Sequence, residues 1–163
     1  MNLKNFFYIT LSLILFSFVS PEKKFPSASL KDLNGKVVKT DDFMNKHKIT
    51  IVSFWATWCV PCQRELDIYH ELYEDWKSKY DIEIVAVTID DVRQLTKVKP
   101  LVNQKQWQFT ILSDVNKDLM KSLSFTTVPQ TYILDIEGNI LFDHNGFKPG
   151  DEVEMEEIFE KMK

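Results

Sequence analysis

The sequence predicts an α/β fold, a central mixed β-sheet flanked by helices, and three observations carry that expectation. Ile49–Trp55 is a β-branched and aromatic run that reads as a buried strand. Leu66, Tyr69, Tyr73 and Trp76 then recur at helical spacing, and Ile82–Thr88 is a second apolar run of strand length. Strand, helix and strand make a βαβ unit, whose strands are parallel and whose crossover is right-handed. Glu137-Gly138-Asn139 turns a hairpin into Ile140-Leu141-Phe142, which adds antiparallel pairing to the parallel core.

The 163 residues suffice for one domain with a full core and are too few for two comfortable ones. Apolar and charged fractions are those of an ordinary globular protein. The formal charge of -4 leaves no basic stripe to displace counterions, which argues against nucleic acid as a partner.

Lys4 gives the N-terminus a positive start, and residues 5–20 are uncharged and mostly apolar. Residues 1–20 therefore read as a secretory signal, ahead of one folded domain over residues 21–163. The apolar run is short for a spanning helix, which needs about 20 residues. Ser20 is small, but Phe18 is a poor match to a small-residue cleavage site. Cleavage and retention as a membrane anchor both stay open, while the lack of a cysteine after the run excludes a lipid-modified anchor. The expected location is extracytoplasmic, in a periplasmic setting.

Residues 21–26 form a proline-flanked linker. Residues 29–38 read as a hairpin about Asn34-Gly35. Asp41-Asp42-Phe43 enters a short helical turn, and His47 reads as a solvated loop residue. After the second strand, Asp90 or Asp91 is expected to cap a helix containing Val92, Leu95 and Val98, with Pro100 kinking or restarting it. Residues 107–112 are a third strand candidate and residues 117–123 a short helix. Pro129 opens a strand that runs through Leu134, one of the few places a sheet tolerates proline. In the last helix Asp151 and Glu154 match a capping box, Met155, Ile158, Phe159 and Met162 face the core, and the glutamates form a solvated face. Tyr69, Tyr73 and Trp76 read as core, Trp55 as core or next to the site, and Gln63 and Arg64 as solvent-facing.

The chemistry concentrates in Trp58-Cys59-Val60-Pro61-Cys62, which holds the only two cysteines. They stand where a strand ends and a helix begins. Unpaired N–H groups and the helix dipole favour a thiolate there, and the pKa of cysteines so placed falls from about 8.5 into the range of roughly 3.5–7.5. Pro61 suits the first helical turn. Cys62 shares the helix face but lies nearer the interior. Cys59 can then attack a disulfide, and Cys62 can resolve the mixed disulfide. Two other readings remain. One is half of a zinc site, which needs four ligands although His47, His70 and His144 are scattered. The other is a structural disulfide, although so short a loop removes little chain entropy.

Phe54-Trp55-Ala56-Thr57-Trp58-Cys59-Val60-Pro61-Cys62 resembles the active-site segment of the thioredoxin superfamily, in its extracytoplasmic TlpA/ResA-like branch. The resemblance runs from about Phe25 to the C-terminus. It implies a thioredoxin-like fold with an N-terminal β-hairpin and a helix–strand insertion, residues 90–112, ahead of a cis proline at Val128-Pro129. It also implies a thiol-disulfide oxidoreductase that uses no metal and no cofactor beyond a redox-active Cys59–Cys62 disulfide. Trp58, Thr127, Val128 and Pro129 would bind substrate, an extended segment docked by backbone pairing, with the Gly146 loop alongside.

Plain thioredoxins carry a buried acid six residues before the first cysteine, where this sequence has Ser53. Glu65 instead matches a glutamate found in some TlpA/ResA-like proteins. A half-buried carboxylate there would have a raised pKa and accept the Cys62 proton; the other reading is a surface glutamate early in a helix. The implied partners are exported thiol and disulfide proteins as substrates and a membrane or thioredoxin-like electron donor. The implied direction is reduction, with cytochrome c maturation the best-known use. Two other enzymes share these features: a disulfide oxidase or isomerase with the same site, and a thiol-dependent peroxidase. The peroxidase setting is Pro-x-x-x-Thr-x-x-Cys, and its proline and threonine positions before Cys59 hold Val52 and Ala56. A non-enzymatic chaperone that holds peptides in the groove is the remaining class.

Overall fold

The computed structural model describes residues 23–163, so the export segment expected at residues 1–20 lies outside the described residues. Its strands are β1 (Ser29–Asp32), β2 (Val37–Lys39), β3 (Ile49–Trp55), β4 (Ile82–Thr88), β5 (Thr110–Ser113), β6 (Gln130–Asp135) and β7 (Ile140–Asn145). The helices are α1 (Asp41–Met44), α2 (Val60–Tyr80), α3 (Leu95–Lys105), α4 (Asp118–Ser122) and α5 (Asp151–Lys161).

The strands form one mixed sheet in the order β2-β1-β5-β4-β3-β6-β7. β3, β4 and β5 are parallel, β6 runs antiparallel to β3, and β7 antiparallel to β6. The N-terminal hairpin β1–β2 joins through β5, with Lys31 opposite Ser113. The helix–strand insertion thus provides the strand on which the hairpin docks.

Every residue of β3 is buried, which accounts for its unbroken apolar character. On one face Phe54 packs on Phe125 and Tyr132, and Tyr132 on Phe25. On the other face Ser53 meets Glu65 of α2. The long α2 ends at Asp81 in a left-handed conformation, φ 56°, whose N–H bonds back to the Lys77 carbonyl. His47 lies in the loop before β3, partly exposed as expected, and its Nδ1 donates to Asp81 Oδ1 at 2.8 Å, tying the entry of β3 to the end of α2.

Helix α5 docks on α2 through aromatic edges, with Phe159 5.2 Å from Trp76 and 5.5 Å from Tyr80. Glu154, Glu157 and Glu160 of α5 are exposed as expected, whereas Glu156 is half-buried; two of the glutamates serve buried aromatic rings, which need acceptors for their polar tips. Glu156 accepts from Trp76 Nε1 at 2.7 Å, and Glu160 accepts from the Tyr80 hydroxyl at 2.8 Å.

Three further expectations are corrected. Helix α3 begins at Leu95, leaving Val92 exposed, and it runs through Pro100 without a break. Thr96, whose carbonyl loses its donor, is exposed, so water can replace the missing N–H. Strand β5 starts at Thr110 rather than at residue 107, because Trp107 packs on Trp55 at 5.1 Å and donates to Asp67. The capping box at the start of α5 is absent. Gly150 is the N-cap at φ 105°, and the Asp151 carboxylate accepts from the Lys148 N–H at 2.7 Å.

Replacing Phe159 by Ala should empty the α2–α5 contact and cost about 3–5 kcal/mol of stability. Urea denaturation of the two proteins checks this, and a loss below about 1 kcal/mol would show that α5 contributes little to the core.

Candidate active site

Strand β3 ends at Trp55, and the chain reaches α2 through residues 56–58. That short connection is fixed by Asp90, which is buried just beyond β4. Its carboxylate accepts from the Thr57 N–H (2.8 Å), the Thr57 hydroxyl (2.9 Å) and the Thr88 hydroxyl (2.6 Å). Asp90 therefore holds the active-site loop and caps no helix. Asp91 makes the turn ahead of α3 instead, accepting from the Arg93 and Gln94 N–H groups. Gln63, expected in solvent, is half-buried and donates to the Thr57 carbonyl at 2.9 Å.

Cys59 is the N-cap of α2, and its sulfur accepts from the Cys62 N–H at 3.3 Å. The first turn carries no acidic residue, so nothing there opposes negative charge on that sulfur. Cys59 and Cys62 are joined in a disulfide. Cys62 is fully buried, while Cys59 lies between Trp58 and Val60, each 57% exposed. Cys59 is itself only 4% exposed and Cys62 not at all, so the outer residue of the pair alone reaches the surface. Among the described residues no group of three or more His, Cys, Asp or Glu side chains is placed to hold a metal ion.

Across from Cys59 stands the loop before β6. The Val128–Pro129 peptide is cis, and the Val128 carbonyl oxygen is 3.7 Å from the Cys59 sulfur. Thr127 is exposed, Val128 half-buried and Pro129 buried. Asn145 anchors this loop from β7. Its Nδ2 donates to the Thr127 carbonyl (3.2 Å) and to Gln130 Oε1 (3.0 Å), and its Oδ1 accepts from the Thr127 hydroxyl (3.1 Å). Gly146, at φ 87°, donates its N–H to the Pro129 carbonyl at 2.8 Å. That positive φ is why a glycine stands there.

Glu65 lies one helical turn beyond Cys62 and is 1% exposed, so it is no surface glutamate. Three hydroxyls donate to its carboxylate: Ser53 at 2.7 Å, Tyr69 at 3.1 Å and Thr131 at 3.1 Å. Burial outweighs these donors and lifts its pKa from the ordinary 4.5 to about 7. Burial and the nearby Glu65 charge also push the Tyr69 hydroxyl well above its usual range, so it remains a donor.

The structure thus brings Trp58, Cys59, Cys62, Glu65, Thr127, Val128 and Pro129 to one end of the sheet. Asp90, Gln63, Asn145 and Thr131 were not singled out for the site from sequence. Each is an ordinary polar residue whose partner is far along the chain, so no local pattern marks it.

The profile of the AhpC/TSA family matches residues 21–142. The thiol-disulfide oxidoreductase ResA of Bacillus thuringiensis subsp. konkukian is 30% identical over 132 residues, which cover 81% of this chain and 73% of that protein. A thioredoxin-like protein from Porphyromonas gingivalis superposes with a TM-score of 0.74 at 36% identity, covering 85% of this chain and 90% of the other. StoA from Bacillus subtilis shares the fold, with a TM-score of 0.64 at 23% identity, covering 80% of this chain and 96% of the other.

The pKa of Glu65 sets a pH dependence whose sign can be stated. Between about pH 4.5 and 7 the folded state holds a proton that the unfolded state releases. The stability from this group is full below that window and is lost as pH rises through it, on the order of 3 kcal/mol in all. Wild-type stability measured by urea denaturation should fall across this window relative to a Glu65→Gln variant. Parallel pH profiles would mean that Glu65 titrates as in water.

Proposed function

Because the chain belongs to the AhpC/TSA family, as a TlpA/ResA-like thiol-disulfide oxidoreductase, we propose that it reduces disulfides of exported proteins. The observation that carries this reading is the asymmetry of the two sulfurs. Cys59 sits at a helix N-terminus at the rim of an apolar surface, and Cys62 is buried one turn before a carboxyl group with a raised pKa.

In this reading the Cys59 thiolate attacks a substrate disulfide and forms a mixed disulfide. Glu65 accepts the Cys62 proton, and the Cys62 sulfur attacks Cys59, releasing the reduced substrate and leaving the Cys59–Cys62 disulfide. Trp58 and the segment Thr127, Val128 and Pro129 form the walls of the docking groove, where an extended substrate pairs with exposed backbone. A membrane or thioredoxin-like donor returns two electrons, and no cofactor is required beyond the dithiol itself.

The uncharged segment at residues 5–20 supports work outside the cytoplasm, with that segment cleaved or kept as an anchor. Among the described residues no helix is long and apolar enough to cross a membrane. Apocytochrome c is one substrate class that fits an extended docking mode. Val52 and Ala56, at the positions where a peroxidase of this superfamily carries proline and threonine, favour disulfide over peroxide as substrate.

The reduction potential of the Cys59–Cys62 pair, read by Trp fluorescence in defined thiol buffers, tests the direction. A value near that of thioredoxin, about -270 mV, is expected, and a value toward about -120 mV would make the protein an oxidant. A Cys59→Ser variant should lose exchange, and a Cys62→Ser variant should accumulate the mixed disulfide. Retained exchange in Cys59→Ser would remove Cys59 from the nucleophile role.

A further inference from the structure

Glu65 is so fully enclosed that a proton taken from Cys62 must leave through its neighbours. One of those neighbours is Thr131, whose hydroxyl donates to the carboxylate and which stands opposite His144 in the β6–β7 ladder. Side chains so paired lie on the same face of the sheet, about 4.5–5.5 Å apart at Cβ. Between this pair and α5 is a small cavity lined by Tyr69, Thr131, Phe142, His144, Asp151 and Met155, with Glu154 at its edge. Its 10 Å³ of space for water centres is room for about one water molecule.

His144 spans the wall of this cavity. Its Nε2 is buried, 3.0 Å from Asp151 Oδ2, a distance that suits an ion pair. The alignment is not that of a hydrogen bond, so Nε2 is left without a hydrogen-bond partner among the described residues. The distance gives the better account of their electrostatic coupling, and the missing alignment leaves Nε2 able to bond elsewhere. The side chain as a whole retains 28% exposure, so another part of the same ring meets solvent. Phe142 stacks on the ring with planes 6° apart and sets its orientation. The titratable groups that line the cavity are Tyr69 from α2, His144 from β7, and Asp151 and Glu154 from α5; Glu65 lies behind the Tyr69 and Thr131 hydroxyls, both of which donate to it.

We propose that His144, held by Asp151, carries protons between the Glu65 carboxyl and solvent across this cavity. This rests on the reading of Glu65 as the acceptor of the Cys62 proton. During resolution, Cys62 S–H transfers its proton to the Glu65 carboxylate. The Cys62 sulfur then forms its bond to Cys59 as the bond from Cys59 to the substrate sulfur breaks, and the substrate departs as a thiolate with two electrons gained. The Thr131 hydroxyl, which bonds to Glu65 and lines the cavity, takes the carboxyl proton and gives its own through a water there to His144, and the ring releases one to solvent. His144 acts through Glu65 and touches no reacting sulfur, so it is a positioning residue for the proton. An imidazole suits the task because one ring nitrogen can take up a proton while the other gives one up.

A dithiobis-nitrobenzoate probe separates the steps, because attack by Cys59 releases one coloured thiolate and resolution by Cys62 releases a second. The reduced full-length chain is held at about pH 5.5, where Glu65 is protonated, and mixed into probe at about pH 8. In a His144→Gln variant the first release should be unchanged and the second slowed about tenfold or more, with added imidazole restoring it. Asp151→Asn should slow the second release in the same sense and guards against a folding defect in the first variant. A second release as fast as wild type in both variants would overturn the proposal. Slowing that imidazole does not relieve would also overturn it, by marking a packing role. Loss of the first release in the wild-type chain would instead refute the oxidoreductase reading on which the proposal rests.

Discussion

The complete burial of β3 is the constraint on which the site depends. A strand covered on both faces cannot slip, because a shift of one residue would exchange every side chain between the two faces. Its register therefore fixes its neighbours: Trp55 lies beside Thr88 of β4, and Phe54 beside Gln130 of β6. These pairs bring three chain segments to one end of the sheet. Cys59 follows β3, Asp90 follows β4, and Pro129 precedes β6. The approach of the Cys59 sulfur to the Val128 carbonyl is thus a consequence of sheet register, secured by hydrogen bonds that Thr57 donates to Asp90 on one side and that Asn145 donates on the other.

The two sulfurs inherit opposite surroundings from that arrangement. The outer one has the unpaired N–H groups of α2 and an acid-free first turn, which favour negative charge. The inner one is enclosed, and enclosure disfavours negative charge unless the proton has somewhere to go. In the proposed mechanism Glu65 provides that destination from the helix, in a fold where the strand offers Ser53. The hydroxyl and the carboxylate are complementary, with Ser53 donating to the acid that reaches it. Three donors do not cancel the loss of water, so the carboxyl titrates near neutrality, where it can both take and give a proton.

Aromatic packing supplies the rigidity behind this chemistry. Trp76, Tyr80 and Phe159 join α2 to α5, and Trp55, Trp107, Phe109 and Tyr73 join α2 to β3 and the segment before β5. Their polar tips account for several charged residues that local periodicity alone would place in water. Asp67 accepts from Trp107, Glu83 from Tyr73, and Glu156 from Trp76.

The sequence by itself determined the features that are encoded within a few neighbouring residues. The β3 strand, the helix after Cys59, the Asn34-Gly35 and Gly138 turns, and the dithiol at a strand–helix junction each follow from local periodicity and turn chemistry. Asp90, Asp151, Gln63 and Glu156 were misread from sequence because a polar side chain can cap a helix, face water or bond inward with the same local pattern. Only the tertiary structure decided among these, through partners such as Thr57, 33 residues from Asp90, and Trp76, 80 residues from Glu156. Covalent neighbours set backbone conformation, whereas the environment of a polar group is set by whichever distant segment folding places against it.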